Sequence, residues 1–147
     1  MRFILMLLLF IPATLYSQHK GYGSVGGTFT PSAAGTSKGV TVGVGFGTNV
    51  TMGAGIDIYP SSVATMIQPY ADIRAFFLGM NKPVEPYVAI QPGMAVVDGE
   101  KFFAFNGLLG LMARPKKIGV FISGGIAHYR VVEGSGLGVK FSVGLAF

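Results

Sequence analysis

Large apolar and small or polar side chains alternate strictly over the last ten residues, Gly138 to Phe147. Val139, Phe141, Val143, Leu145 and Phe147 hold the large positions, and Gly138, Lys140, Ser142, Gly144 and Ala146 stand between them. A period of two over a whole segment predicts a β-strand with one apolar face. Terminal residues are usually polar and frayed, so an aromatic last residue indicates a strand held in a sheet. We expect it to pair with the first strand of a closed barrel.

The same alternation recurs throughout the chain, and turn-forming residues separate the segments. Eight strands are predicted, at about residues 22–30, 39–47, 52–59, 66–78, 84–94, 102–113, 118–132 and 138–147. The first is rich in glycine, so its limits are the hardest to draw. Residues 30–37 are predicted as a loop, Thr48-Asn49 as a tight turn and Asp98-Gly99-Glu100 as a hairpin turn. The predicted fold is all-β, an eight-stranded antiparallel up-and-down barrel.

The two faces of the predicted strands differ in size as well as in polarity. In strand 39–47, Val40, Val42 and Val44 lie on one face and glycines lie on the other. Eight strands enclose a space just wide enough for side chains, so rows of Val, Ile and Phe from every strand would overfill it. The large side chains are therefore expected to face outward, where only lipid accommodates so continuous an apolar belt. A soluble lipocalin-like barrel is the alternative.

Composition agrees with a membrane barrel. Half of the residues are hydrophobic, 12% are charged and the mean hydropathy is +0.57, whereas soluble domains are about 25% charged. Beyond the first dozen residues no apolar run approaches the roughly 20 residues of a membrane helix. The net charge of +5 is scattered without a basic patch, so nucleic-acid binding is not expected. The chain has no cysteine, which excludes thiol catalysis, disulfides and cysteine metal sites.

The amino terminus has the pattern of a secretory signal peptide. Arg2 supplies a positive charge, Phe3 to Ile11 form a short apolar core, and Pro12 to Ser17 provide the exit. We predict cleavage after Ser17, which makes residues 1–17 the signal peptide and 18–147 the barrel domain. An uncleaved anchor is the alternative, although the core is too short to span a bilayer.

The chain resembles the small outer-membrane β-barrels of the OmpA/OmpX-like type. The export signal, the eight alternating strands and the aromatic last residue carry this resemblance, and its sharpest part is the terminal signature of Lys140, Leu145 and Phe147. Ser142 stands where that family has glycine. The resemblance implies a cell outer-membrane location and transient recognition of the last strand by the barrel-assembly machinery. Because the predicted number of strands is even, both termini are expected on the periplasmic side.

Polar side chains on the inner faces are the first candidate site. They are Asp57, Gln68, Asp72, Arg74, Glu85, Gln91, Asn106 and Lys140. Salt bridges and hydrogen bonds among them would plug the interior. A polar lumen that passes small solutes is the alternative, which the glycine-rich inner faces of the second and third strands favour.

His128 is the second candidate, because some eight-stranded outer-membrane barrels are lipid-modifying enzymes that use His, Ser and a carboxylate. Only Ser123 and Ser135 lie near His128 in sequence. Strict alternation places His128 and Arg130 on the lipid face, at the rim. A bulge at Gly124-Gly125 is the alternative that would turn them inward.

The expected role is therefore a structural or interaction-type outer-membrane barrel with a plugged interior and no enzymatic activity. A narrow pore and a lipid-modifying enzyme are the alternatives. No metal or cofactor is expected, since the two histidines are far apart and the period-2 glycines of strand 39–47 precede no helix.

Overall fold

A computed structural model describes residues 21–32, 35–62, 64–78, 82–113, 118–131 and 134–147. Eight strands lie in this part of the chain: β1 (Gly21–Ser32), β2 (Gly35–Gly47), β3 (Val50–Tyr59), β4 (Met66–Phe76), β5 (Val84–Val97), β6 (Glu100–Ala113), β7 (Gly119–Val131) and β8 (Gly134–Ala146). The predicted signal peptide lies outside the described residues.

The strands form a closed antiparallel barrel in which each strand pairs with its neighbours in sequence, and β8 pairs with β1. The predicted fold class is thus confirmed. Phe147 continues the closing ladder, since its N–H donates to the Gly23 carbonyl at 2.9 Å and the Gly23 N–H donates back at 2.7 Å. We call the end with Gly21 and Phe147 the termini end, and the end with the β1–β2, β3–β4, β5–β6 and β7–β8 connections the hairpin end.

Alternation along each strand sorts the side chains onto two faces of the barrel. The outer face carries the large apolar residues, with exposures such as 67% for Met52, 66% for Leu109 and 60% for Val143. The inner face carries tyrosines, small residues and most of the buried polar groups. No helix long enough and apolar enough to cross a membrane occurs among the described residues.

Connections between strands are short, and one of them differs from the prediction. Asp98 and Gly99 have positive φ angles of 51° and 86° and join β5 to β6 as the predicted hairpin turn. The predicted loop at residues 30–37 is wrong for most of its length, because Pro31 pairs with Thr36 and the β1–β2 ladder extends to Ser32 and Gly35. Small side chains suggested a loop there, but a backbone ladder needs no large side chains.

Three prolines fall within β4 and β5 without changing the register. Pro69, Pro86 and Pro92 all lie on the outer face, as alternation predicts. The β4–β5 pairing has gaps beside Pro69 and Pro92, yet Ile67↔Val96 and Ile73↔Ile90 keep the same offset. A proline removes one donor from the ladder, and here the two strands stay aligned around the missing bonds.

Candidate functional site

The eight polar residues singled out from the sequence all lie in the interior of the barrel. Asp57, Gln68, Asp72, Glu85 and Asn106 are 0% exposed, Lys140 is 1%, Gln91 is 2% and Arg74 is 4% exposed. They come from β3, β4, β5, β6 and β8, and alternation places each of them on the inner face. Buried charges need partners to offset their loss of hydration, so the contacts among these side chains decide what the interior can do.

Asp72 is the centre of one cluster. Its Oδ2 accepts hydrogen bonds from the Tyr22 hydroxyl at 2.7 Å and from Arg74 Nε at 2.9 Å, and Arg74 Nη2 lies 2.7 Å away. The Arg74 guanidinium also lies over two rings, with its Cζ 4.3 Å from the Tyr22 centroid and 5.0 Å from the Tyr87 centroid. Arg74 is therefore held by a carboxylate and by two aromatic faces at once.

Asp57 and Lys140 form a second ion pair, although they belong to β3 and β8. Lys140 Nζ donates to Asp57 Oδ2 at 2.5 Å, and both side chains are almost fully buried. The Tyr59 hydroxyl donates to the same oxygen at 3.4 Å, and Lys140 Nζ lies 5.2 Å from the Tyr70 ring centroid. This contact joins two strands that are not neighbours in the sheet, so it crosses the lumen.

Gln91 links the two ion pairs. Its Nε2 donates to Asp72 Oδ1 at 3.3 Å, and its Oε1 accepts from Lys140 Nζ at 3.2 Å and from Asn106 Nδ2 at 3.3 Å. A continuous path of charge-assisted hydrogen bonds thus runs from Arg74 through Asp72, Gln91 and Lys140 to Asp57. We call these five side chains with Asn106 the lumen network.

Gln68 and Glu85 are placed differently from the lumen network. Gln68 lies opposite Asp57 in the β3–β4 register, and neither atom of its amide has a hydrogen-bond partner among the described residues. Asp57 Oδ1 and Asn106 Oδ1 also have none. Glu85 is fully buried opposite Met112, close to the termini end.

Tyrosine rings pack onto glycines of the adjacent strand, a feature that the sequence analysis missed. Tyr22 pairs with Gly45, and Tyr70 pairs with Gly55. A Cβ added to either glycine would lie 2.5 Å or 2.4 Å from the opposing ring. Tyr87 and Gly110 repeat the arrangement at 2.4 Å. Tyrosine rings therefore cover Gly45 and Gly55, two of the inner glycines of β2 and β3 that favoured the alternative of a pore. These contacts could have been predicted only by aligning the inner tyrosines with the inner glycines of the adjacent strands.

An apolar layer fills the interior near the termini end. It consists of Phe76, Met112, Phe121 and Ala146, which are all 4% exposed or less. Phe76 packs against Tyr22 and Tyr87, with ring centroids 6.4 Å and 5.5 Å apart. A cavity of about 10 Å³ is lined by Arg74, Gln91 and Lys140 of the lumen network and by Phe121 of this layer. It has room for about one water molecule.

His128 lies on the outer face, as strict alternation predicted. It is half-buried and pairs with Phe105 and Leu137, while Ala127 beside it faces the interior. The register of β7 runs without a break through Gly124 and Gly125 on both sides. The alternative of a bulge at these glycines is wrong, because two neighbours lock their backbone into the ladder.

Ser123 faces the interior at 4% exposure, so its hydroxyl and the outward imidazole lie on opposite sides of the sheet. The backbone of Arg130 pairs with Phe103 and with Ser135. No group of three or more His, Asp or Glu side chains able to hold a metal ion occurs among the described residues.

The residues of the terminal signature lie on both faces of β8. Lys140 points into the lumen, whereas Leu145 and Phe147 are 49% and 59% exposed on the outside. Both edges of β8 are used, one by β7 and the other by β1. The Phe147 ring covers Gly23, where an added Cβ would meet it.

No protein-family model matches the sequence. No curated protein matches it either. Solved structures, however, do match this chain. Neisserial surface protein A has a TM-score of 0.66 at 14% identity, over 86% of this chain and 94% of that one. The N-terminal β-barrel domain of Pseudomonas aeruginosa OprF has a TM-score of 0.59 at 14% identity, over 88% of this chain and 100% of that one. The predicted likeness is therefore confirmed: the chain has the fold of the small eight-stranded outer-membrane β-barrels.

Proposed function

We propose that this protein is an integral outer-membrane β-barrel with a plugged interior and a structural or interaction role. The observation that supports this proposal most strongly is the inverted polarity of the barrel, with apolar side chains outside and charged side chains inside. Large apolar side chains such as Met52, Leu109 and Val143 are more than half exposed, while Asp57, Asp72 and Lys140 are buried. In water this arrangement would leave a continuous apolar surface exposed, at a cost in free energy. In a bilayer the same surface contacts acyl chains.

The closed hydrogen-bond ladder supports a membrane location as well. Within the hydrocarbon region every backbone N–H and C=O needs a partner inside the protein. The pairing of β8 with β1 leaves no open sheet edge. The strands are 10 to 14 residues long, which matches the roughly 9–11 residues that a tilted strand needs to cross.

The lumen network and the apolar layer support the proposed plug. The network connects opposite walls through the Lys140–Asp57 contact, and the apolar layer lies across the termini end. A solute would have to separate two buried ion pairs and displace packed rings. We therefore propose that the barrel does not conduct, and that its interaction partners meet its outer face or its hairpin end.

We further propose that the protein is not a lipid-modifying enzyme. A hydroxyl nucleophile must lie within hydrogen-bond reach of its base, whereas Ser123 and His128 lie on opposite faces of β7. His128→Ala is expected to leave the lipid composition of the host membrane unchanged. A lost or altered lipid species in that variant, restored by the wild-type gene, would contradict this view.

We also propose the export and assembly steps that the sequence predicts. Residues 1–17 would be removed after Ser17, and the β8 signature of Lys140, Leu145 and Phe147 would bind the barrel-assembly machinery. That contact would be transient, because both edges of β8 are occupied once the barrel closes. Mass spectrometry of the mature protein tests the cleavage site, and crosslinking from β8 during insertion tests the partner.

The experiment that tests the main proposal combines gel migration and conductance. Mature protein refolded in detergent is expected to migrate faster before boiling than after it, as a closed barrel does. A protein that stays monodisperse in plain buffer would contradict the membrane location. In planar bilayers we expect no unitary conductance steps, and reproducible steps would favour the narrow pore instead.

A further inference from the structure

Gly27 opens a groove on the outer face of the barrel. A Cβ added at Gly27 would have no neighbour closer than the Gly39 carbonyl oxygen at 4.0 Å. The side chains of Phe29, Phe141 and Val143 stand around this gap, and the groove of about 370 Å³ between them is lined almost entirely by apolar atoms. It crosses from β7 over β8 and β1 to β2. We call it the Gly27 groove.

Lys38 stands at the β2 end of the Gly27 groove. It is exposed, and it pairs with Phe29, which pairs in turn with Phe141. Lys38 also borders a more polar pocket of about 360 Å³ at the hairpin end, beside Ser37 and Ser61. A single ammonium group therefore lies where an apolar groove meets a polar pocket.

The groove runs away from the hairpin end because the strands are staggered. Lys38 is the fourth residue of β2 and Phe29 is the fourth residue from the end of β1, whereas Phe141 is the eighth residue of β8. Four residues correspond to roughly 13 Å along a strand, and to a smaller depth because the strands of a membrane barrel tilt by about 35–45°. In a membrane, the groove would thus begin at the rim beside Lys38 and continue down among the acyl chains.

We propose that the Gly27 groove holds one acyl chain of an anionic membrane lipid whose phosphate group pairs with Lys38. This proposal rests on the membrane location proposed above. A lipid has the apolar chain that the groove needs and the negative charge that Lys38 needs, at the depth where each lies. A lysine at the rim keeps its stem against apolar surface while its ammonium reaches the headgroups.

Native mass spectrometry of the full mature protein in detergent tests the headgroup contact. The probes are phosphatidylglycerol and phosphatidylcholine with identical acyl chains. Wild type is expected to retain phosphatidylglycerol in preference, and Lys38→Gln to lower that preference about fivefold, the effect of about 1 kcal/mol per basic residue at a membrane surface. Lys101→Gln is the matched control, because Lys101 is also exposed near the hairpin end but lies on β6, outside the groove. Equal losses in the two variants would overturn the proposal.

Filling the groove tests the acyl-chain contact independently of charge. Gly27→Leu has space for its side chain and is expected to reduce retention of both lipids. Gly107→Leu is the control, since Gly107 is partly exposed on β6 and its nearest contact would be Ile126 Cγ1 at an ordinary 3.5 Å. Full lipid retention in Gly27→Leu would contradict the assignment.

Gel migration separates this proposal from the one on which it rests. A wild-type protein without a heat-modifiable band would contradict the membrane barrel itself. A folded wild type that shows no preference for phosphatidylglycerol would contradict only the lipid site.

Discussion

Two regions of the same lumen are filled in opposite ways. The apolar layer of Phe76, Met112, Phe121 and Ala146 fills most of the space near the termini end by shape, beside the buried carboxyl group of Glu85. The lumen network fills the middle with two ion pairs joined through Gln91. In a packed apolar region, the protein loses stability in proportion to the atoms removed. A buried charge, in contrast, becomes strongly destabilising when its partner is removed. The two regions should therefore respond differently to single substitutions.

Removing one partner of the ion pair that crosses the lumen should have the largest effect. Asp57→Ala leaves the Lys140 ammonium buried with Gln91 as its remaining hydrogen-bond partner. We expect the free energy of unfolding to fall by about 3–5 kcal/mol, measured by circular dichroism during guanidinium unfolding in detergent. Glu100→Ala, at an exposed position, is the control and should stay within about 0.5 kcal/mol of wild type. A similarly small loss for Asp57→Ala would show that the Asp57–Lys140 contact contributes little to the free energy of unfolding.

Truncation in the apolar layer should come next. Met112 is 0% exposed, so Met112→Ala should cost about 2–5 kcal/mol by leaving a cavity. Met112→Leu keeps most of the volume and should cost less than about 1.5 kcal/mol. The same unfolding experiment measures both, and equal losses would mean that this region is not held by its packing.

Adding a single methyl group between the two regions should have a smaller effect. In Gly45→Ala the new Cβ would lie 2.5 Å from the Tyr22 ring, which also bonds Asp72. We expect a loss of about 1–3 kcal/mol from overpacking. Gly27→Ala, where the Cβ meets open space, is the matched control. A double variant, Gly45→Ala with Tyr22→Leu, should lose less than the two single losses added together, and strict additivity would contradict a direct contact.

Replacing both partners of the crossing ion pair should have the smallest effect. Asp57→Leu combined with Lys140→Met replaces this buried ion pair with apolar side chains like those of the apolar layer. Exchange of a buried pair for apolar residues is often neutral or stabilising, so the double variant should recover most of the stability that Asp57→Ala loses. A double variant as unstable as Asp57→Ala would show that the interior requires charge at this level.

The outward face of the barrel could be read from the sequence because a two-residue period needs no knowledge of register. The same rule placed His128 outside and Asp72 inside. Contacts across the lumen could not be read in this way. Asp57 meets Lys140, and Gln91 meets both Asp72 and Lys140, only because of the stagger between strands. That stagger depends on the turns and on pairing around the whole barrel.

Local composition misled the prediction at residues 30–37. Pro31 and Ser37 stand among small residues that usually form loops, yet both lie in the β1–β2 ladder. The structure there is determined by backbone hydrogen bonds that continue from β1 and β2, and the loop propensity of the individual residues does not decide it. The interior tyrosines follow the same two-residue alternation, but their contacts with Gly45, Gly55 and Gly110 depend on the register between strands.

The tyrosine–glycine pairs have a consequence for how such a barrel diverges over evolutionary time. An outward position tolerates any lipophilic residue, so it can drift alone. A side chain at Gly45 costs less stability once Tyr22 has lost its ring, and the same dependence joins Gly55 to Tyr70. Related sequences should therefore change at both members of such a pair together, as coupled sites on facing strands, while the positions between them vary independently.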